Sequence, residues 1–236
     1  MTVYPTKIYK LLLSQFGPQQ WWPIDQSYHN INNSDPRFEI IIGTILTQNT
    51  AWSNVEKALK LVKNHKMLSI KAINDSPLDQ LKHLIKPSGF FNQKAARLQT
   101  MSRFLLENYH GDLDQLFMQS TSRIRKTLLN LNGIGPETAD SILLYAGEKP
   151  IFVVDAYTKR LCARLELPVD SESYESIQTF FQDDLKSHIS SKKLIRTYKE
   201  FHAVIVEWAK QYCQKRKPHC SHCPLSSDCM FQQELQ

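Results

Sequence analysis

Residues 128–149 read LLNLNGIGPETADSILLYAGEK, and the way this stretch folds decides the architecture. An apolar helical repeat through Leu129 breaks at Leu131-Asn132-Gly133-Ile134-Gly135. Pro136 then opens a second helix, at a position where the missing N–H costs nothing. Two glycines around one apolar residue allow positive φ and let the backbone approach a ligand closely. Ile134 plugs back between the two helices and holds the turn rigid. Free N–H groups at the new helix start attract a phosphate oxygen. The residues alone leave two readings open: a turn that grips a phosphate, and a tight helical corner with no ligand.

The chain on either side is helical as well. Apolar residues recur at helical spacing through Phe38–Leu46, Val55–Val62, Ala95–Leu106, Ile124–Leu129, Ala139–Tyr145, Thr158–Leu165 and Phe201–Ala209. Short polar breaks such as NNSDPR, NDSPLDQ and KPSGFFNQ separate them. Thr121 or Ser122 is expected to cap the helix through Leu129. Only IFVV (Ile151–Val154) is strand-like, and between two helices it reads as a buried extended linker. The fold class is all-α.

A chain of 236 residues can build one large core or two small ones. With 42% hydrophobic and 22% charged residues it has the balance of a globular protein. No apolar run approaches the roughly 18 residues of a membrane span, and the start lacks the features of a secretory signal. A cytoplasmic protein is expected, nucleoid-associated if bacterial, with no membrane partner. The net charge of +6 favours an anionic partner, nucleic acid first.

Cys213, Cys220, Cys223 and Cys229 follow the spacing C-x6-C-x2-C-x5-C. Without a secretory signal, four thiols so close together point to a metal site rather than disulfides. Tetrahedral zinc and a [4Fe-4S] cluster both take four thiolates, and spacing alone does not separate them. Cys162 lies on an apolar helical stripe and belongs to the core. Asp155 ends an apolar run and starts an amphipathic helix, which makes it an N-cap. A carboxylate held by helix N–H groups stays ionised near neutral pH.

The string L-x-G-I-G-x-x-T-A at 131–139, the aspartate that follows it and the cysteine spacing together resemble the helix–hairpin–helix DNA glycosylase superfamily. The resemblance covers residues 21–229, and the cysteine loop is similar to that of endonuclease III-like members carrying a C-terminal [4Fe-4S] cluster. It implies two helical domains with double-stranded DNA, containing a damaged base, held across a cleft by a monomer. A six-helix module at 36–150 would carry the wedge and hairpin. Residues 1–35 with 151–236 would form the second domain, with the catalytic aspartate and the cluster. In this reading Gly133, Ile134 and Gly135 hold the DNA backbone without choosing a base. Gln48, in ILTQNTAW, fills the gap left by a flipped nucleotide. Asp155 is catalytic, stabilising the oxocarbenium-like sugar. The four cysteines bind a structural [4Fe-4S] cluster, and Lys215, Arg216 and Lys217 in its loop reach phosphates.

Departures from the family pattern are as informative. Endonuclease III-like lyases carry a lysine just before the Thr-Ala pair, where it forms a Schiff base. Here Glu137 stands in that place, which implies a monofunctional hydrolase. Adenine-removing relatives carry a glutamate before the wedge, and IIGTILTQNT offers none. Trp21-Trp22-Pro23 resembles the 3-methyladenine glycosylase branch, whose aromatic pocket stacks a cationic alkylated purine. Phe38, Glu39 and Tyr157 are expected to line the same pocket. Val204 stands where that branch can carry a pocket lysine, and some of its members lack the cysteine cluster. Two alternatives remain: an endonuclease III-type glycosylase and abasic-site lyase acting on oxidised pyrimidines, and an inactive DNA-binding relative.

Overall fold

A computed structural model describes residues 4–233, and every regular element among them is helical. In chain order these are α1 (Pro5–Phe16), α2 (Gln26–Asn32), α3 (Pro36–Thr47), α4 (Trp52–Asn64), α5 (Ile70–Asp75), α6 (Leu78–Ile85), α7 (Phe91–Tyr109), α8 (Leu113–Phe117) and α9 (Thr121–Leu129). There follow α10 (Pro136–Ser141), which runs into a π-helical turn at Ile142–Ala146, then α11 (Ala156–Arg164), α12 (Tyr174–His188), α13 (Ser191–Gln211) and α14 (Met230–Gln233). No helix among them is long and apolar enough to cross a membrane. The chain divides into two units, Trp22–Lys149 and the pair of segments Met1–Trp21 and Pro150–Gln236.

In the first unit α3 is central. Residues 38–46 are all buried, as a helix with apolar residues on every face is, and α4, α7, α10 and the π-turn pack around it. Asp35 starts it by accepting the Arg37 N–H at 2.8 Å, with Pro36 in the first turn. Its far end is fixed by Lys94, only 1% exposed, whose Nζ donates to the carbonyls of Leu46 and Ser88, both at 2.7 Å. Burial, then the nearby Arg97 charge, pushes the Lys94 amine down to about 8. An amine so placed is a structural clamp on the loop that begins at Gln48.

Residues 22–35, expected with the second domain, lie in this unit instead. The cause is the buried Glu39 carboxylate, which needs partners. His29 Nε2 lies 2.7 Å from Oε2 and Lys63 Nζ 2.6 Å from Oε1, while Asp25 caps α2 and meets Lys63 at 3.4 Å. The helix through Leu129 also starts differently. Ser120, not Thr121 or Ser122, is the cap, its Oγ accepting the Arg123 N–H at 3.4 Å. Thr121 and Ser122 are thereby the first helical residues. Across the hairpin Arg125 grips Asp140 with two bonds, Nε to Oδ1 at 2.7 Å and Nη2 to Oδ2 at 3.2 Å. Asp140 is fully buried, so this fork ties α9 to α10.

In the second unit α1 packs on α12 and α13. Thr6 docks its N–H (2.7 Å) and hydroxyl (2.5 Å) on Asp184 Oδ2. Phe152, Phe181 and Phe201 form an aromatic core with centroids 4.9–5.7 Å apart. Residues 151–154 are buried and extended without strand pairing. Buried backbone must still be satisfied, and α12 does so with side chains. Gln182 Oε1 accepts the Phe152 N–H at 3.1 Å, Gln178 donates to the Phe152 carbonyl at 2.6 Å, and the Tyr174 hydroxyl takes the Val154 N–H at 3.4 Å. This linker delivers Asp155 to the start of α11.

Candidate active site

Only one of the two hairpin glycines needs its special backbone. Gly133 has φ +81°, whereas Gly135 is extended at φ −89°, ψ 178°. Positive φ at both, as the sequence suggested, is therefore not what the turn uses. Ile134 is 5% exposed, and its N–H closes the turn on the Leu131 carbonyl at 3.1 Å. A Cβ added at Gly135 would meet nothing within 4 Å, so glycine there leaves room outside the fold. Gly135→Val should consequently fold normally. If the turn binds phosphate, it should weaken binding to damaged and undamaged duplexes alike, by about tenfold. Filter binding at moderate salt checks this, and unchanged affinity would show that the turn is not the anchor.

Gln48 caps the end of α3 and folds back on the same turn. Its Nε2 donates to the Gly133 carbonyl at 3.0 Å and to Thr138 Oγ1 at 2.9 Å, and its Oε1 accepts from Arg97 Nη1 at 2.5 Å. Glu137 lies exposed in the first turn of α10, where an acid suits the helix dipole.

Trp22 is committed to packing in this unit. A Cβ on Gly43 would come within 2.7 Å of its ring, and it meets Trp52 and Tyr145 edge-on at 5.2 and 5.4 Å. Phe38 is 3% exposed and belongs to the core of α3 rather than to an open wall. Glu39 borders a cavity of about 500 Å³ with Tyr28, Trp52, Lys60 and Lys63, but its oxygens are already paired with His29 and Lys63.

In the other unit Asp155 is 8% exposed and caps α11. Its Oδ1 accepts the Thr158 N–H at 2.7 Å and hydroxyl at 2.9 Å, and its Oδ2 faces His202 Nε2 at 3.5 Å. Burial alone would push this carboxyl up. The His202 bond and charge, with the two Thr158 donors, outweigh it and hold the carboxyl below the usual range. Tyr157, half-buried, lies under the Arg160 guanidinium at 5.1 Å. Trp21, also half-buried, belongs to this unit. Val204 is fully buried on α13.

All four cysteines of the C-terminal run line one small cavity with Arg164, Trp208, Tyr212 and Phe231. Arg164 Nη1 donates to Cys213 Sγ at 3.0 Å and Trp208 Nε1 to Cys223 Sγ at 3.2 Å. Arg164 also holds the carbonyls of Gln214 and Lys215, and Arg160 holds that of Cys213 at 2.8 Å. Among the described residues no three His, Cys, Asp or Glu side chains are gathered as a single ion would need. N–H donors aimed at sulfur and a half-buried guanidinium beside it suit thiolates holding a cluster. Lys215, Arg216 and Lys217 are exposed in the same loop. Cys162 is 1% exposed, its thiol pushed up to about 12 by burial, and takes no part.

Four residues of these arrangements are missing from the sequence reading. Arg97 and His202 reach their partners only through the tertiary fold. Arg160 and Arg164 did leave a signal, an i,i+4 arginine pair on one face of α11.

Residues 42–187 match the model of the HhH-GPD superfamily base excision DNA repair proteins. A Methanocaldococcus jannaschii protein named "Putative DNA repair glycosylase MJ1434" is 42% identical over 226 residues, covering 95% of this chain and 94% of its own. Endonuclease III of Thermotoga maritima is 30% identical, with 86% of each chain covered. The structure of the H. pylori 3-methyladenine DNA glycosylase MagIII bound to 1,N6-ethenoadenine superposes with a TM-score of 0.75 at 31% identity, over 89% of this chain and 98% of that one.

Proposed function

We propose, given that this chain belongs to the HhH-GPD superfamily and is a DNA repair glycosylase, that it releases alkylated purines from duplex DNA by hydrolysis and leaves the strand intact. The observation that carries the reading is Asp155, ionised and held by Thr158 and His202, in a chain with Glu137 at the lyase-lysine position. As the bond from C1′ to the base nitrogen breaks, its electron pair leaves with the base and positive charge develops on the sugar. A fixed carboxylate stabilises that charge more than the neutral ground state. Water then adds to C1′ and loses a proton to solvent. An alkylated purine is already cationic and departs as a neutral base, so no strong general acid is required.

Support for the substrate class comes from the 31% identical neighbour, a 3-methyladenine glycosylase, and from Trp21-Trp22. Because Trp22 is packed against Gly43, Trp52 and Tyr145, the stacking role falls to Trp21. The four cysteines are assigned a structural [4Fe-4S] cluster, which supplies folding energy and no step of the reaction. Lys215, Arg216 and Lys217 would reach phosphates from its loop.

The 30% identity to T. maritima endonuclease III favours a second reading, a glycosylase that is also a lyase. Borohydride decides between them, because it traps a Schiff base as a covalent protein–DNA adduct. Wild-type protein should give no adduct on lesion-containing duplexes, and nicks should appear only after alkali. Efficient cross-linking would replace the first reading with the second.

A further inference from the structure

The amide of Gln48 is fully engaged in this structure, and Arg97 is the reason its orientation is fixed. Arginine has donors only, so Oε1 must face Nη1 and Nε2 must donate to the Gly133 carbonyl and Thr138 hydroxyl. The same arginine lies across the hairpin. A Cβ on Gly133 would fall 2.1 Å from Arg97 Nε and 2.6 Å from its Cδ, so the missing side chain is what lets Arg97 cross the turn. One side chain from α7 thus touches both the glutamine and the glycine turn. Lys94, one helical turn earlier, pins the end of α3 from which Gln48 projects.

We propose that Arg97 is a positioning residue that stores Gln48 against the hairpin and gives it up when the guanidinium takes a DNA phosphate. This rests on reading Gln48 as the wedge and the hairpin as the phosphate anchor. A side chain whose acceptor and donors are all in use must release them before its amide enters the duplex. A phosphate oxygen competes well for the guanidinium, since it carries the opposite charge and accepts two parallel N–H bonds where the neutral amide oxygen accepts one. Wedge entry is thereby made conditional on backbone engagement, and an unengaged protein does not probe the stack.

The test follows extrusion by 2-aminopurine fluorescence beside an abasic-site analogue, at saturating full-length protein. Duplexes carry a single uncharged methylphosphonate, scanned across the flanking positions. In wild-type protein one position should slow extrusion by about tenfold. In Arg97→Met that sensitivity should vanish, while duplex affinity drops and the salt slope becomes shallower by about one. Arg97→Lys, which keeps the charge but not the fork, should lose the sensitivity and retain the slope. It also serves if the methionine variant folds poorly. Sensitivity that survives in either folded variant overturns the proposal. Gln48→Ala separates the premise from the coupling: a full extrusion signal in that variant removes the wedge reading, and the proposal with it.

Discussion

Asp155→Asn should fold, bind lesion-containing duplex with near wild-type affinity, and release base slower by at least about 10²–10³-fold. Asparagine caps helices as well as aspartate does, so the Thr158 N–H, 2.7 Å from Oδ1 in the native protein, keeps an acceptor. What disappears is the negative charge facing His202 at 3.5 Å. That charge acts mainly in the transition state, so kcat should fall with little change in affinity. Since burial is outweighed by His202 and Thr158, the native carboxyl titrates below the usual range. The acid limb that Asp155 imposes on base release should accordingly lie below the usual carboxylate range. Single-turnover assays of a defined lesion, paired with an affinity measurement, check both halves. Wild-type rates in Asp155→Asn would remove this residue from the chemistry.

Loss of the cluster should be nearly as large an effect, but on folding. Protein purified without oxygen should carry about four irons and four sulfides per chain. Cys220→Ser should collapse the yield of soluble protein, because metal binding at such a loop is folding energy. The surroundings say why. Arg160 and Arg164 hold the backbone of Cys213, Gln214 and Lys215, and Trp208 donates to Cys223. These are contacts of α11 and α13, so an unfolded loop would loosen the unit that carries Asp155. Metal analysis and circular dichroism check the prediction. A colourless protein with one zinc per chain would contradict it.

What the sequence makes legible is local. The all-helical fold, the turn at 131–135 and the capping place of Asp155 each depend on neighbours a few residues away. Less legible are features made by distant partners. Residues 22–35 join the first unit because His29 and Lys63 hold the oxygens of a buried Glu39, and no window of sequence contains that pairing. Phe38 and Glu39 both read as pocket walls, yet the helical phase of α3 turns Phe38 into the core while Glu39 borders a cavity with its oxygens paired inward. Gly133 and Gly135 look equivalent as letters, and only the backbone separates a strained turn from open space. Trp21 and Trp22 are adjacent in sequence, but the glycine that accepts the Trp22 indole lies 21 residues on, at position 43.

Hydrolytic release of alkylated purines is tested by chromatography of the bases freed from dimethyl sulfate-treated duplex DNA, with thymine glycol DNA in parallel. Free 3-methyladenine is expected, with abasic strands that stay whole until alkali is added, and little or no release of thymine glycol, whose saturated neutral ring gains nothing from an aromatic wall. Rapid release of thymine glycol with none of 3-methyladenine would contradict it.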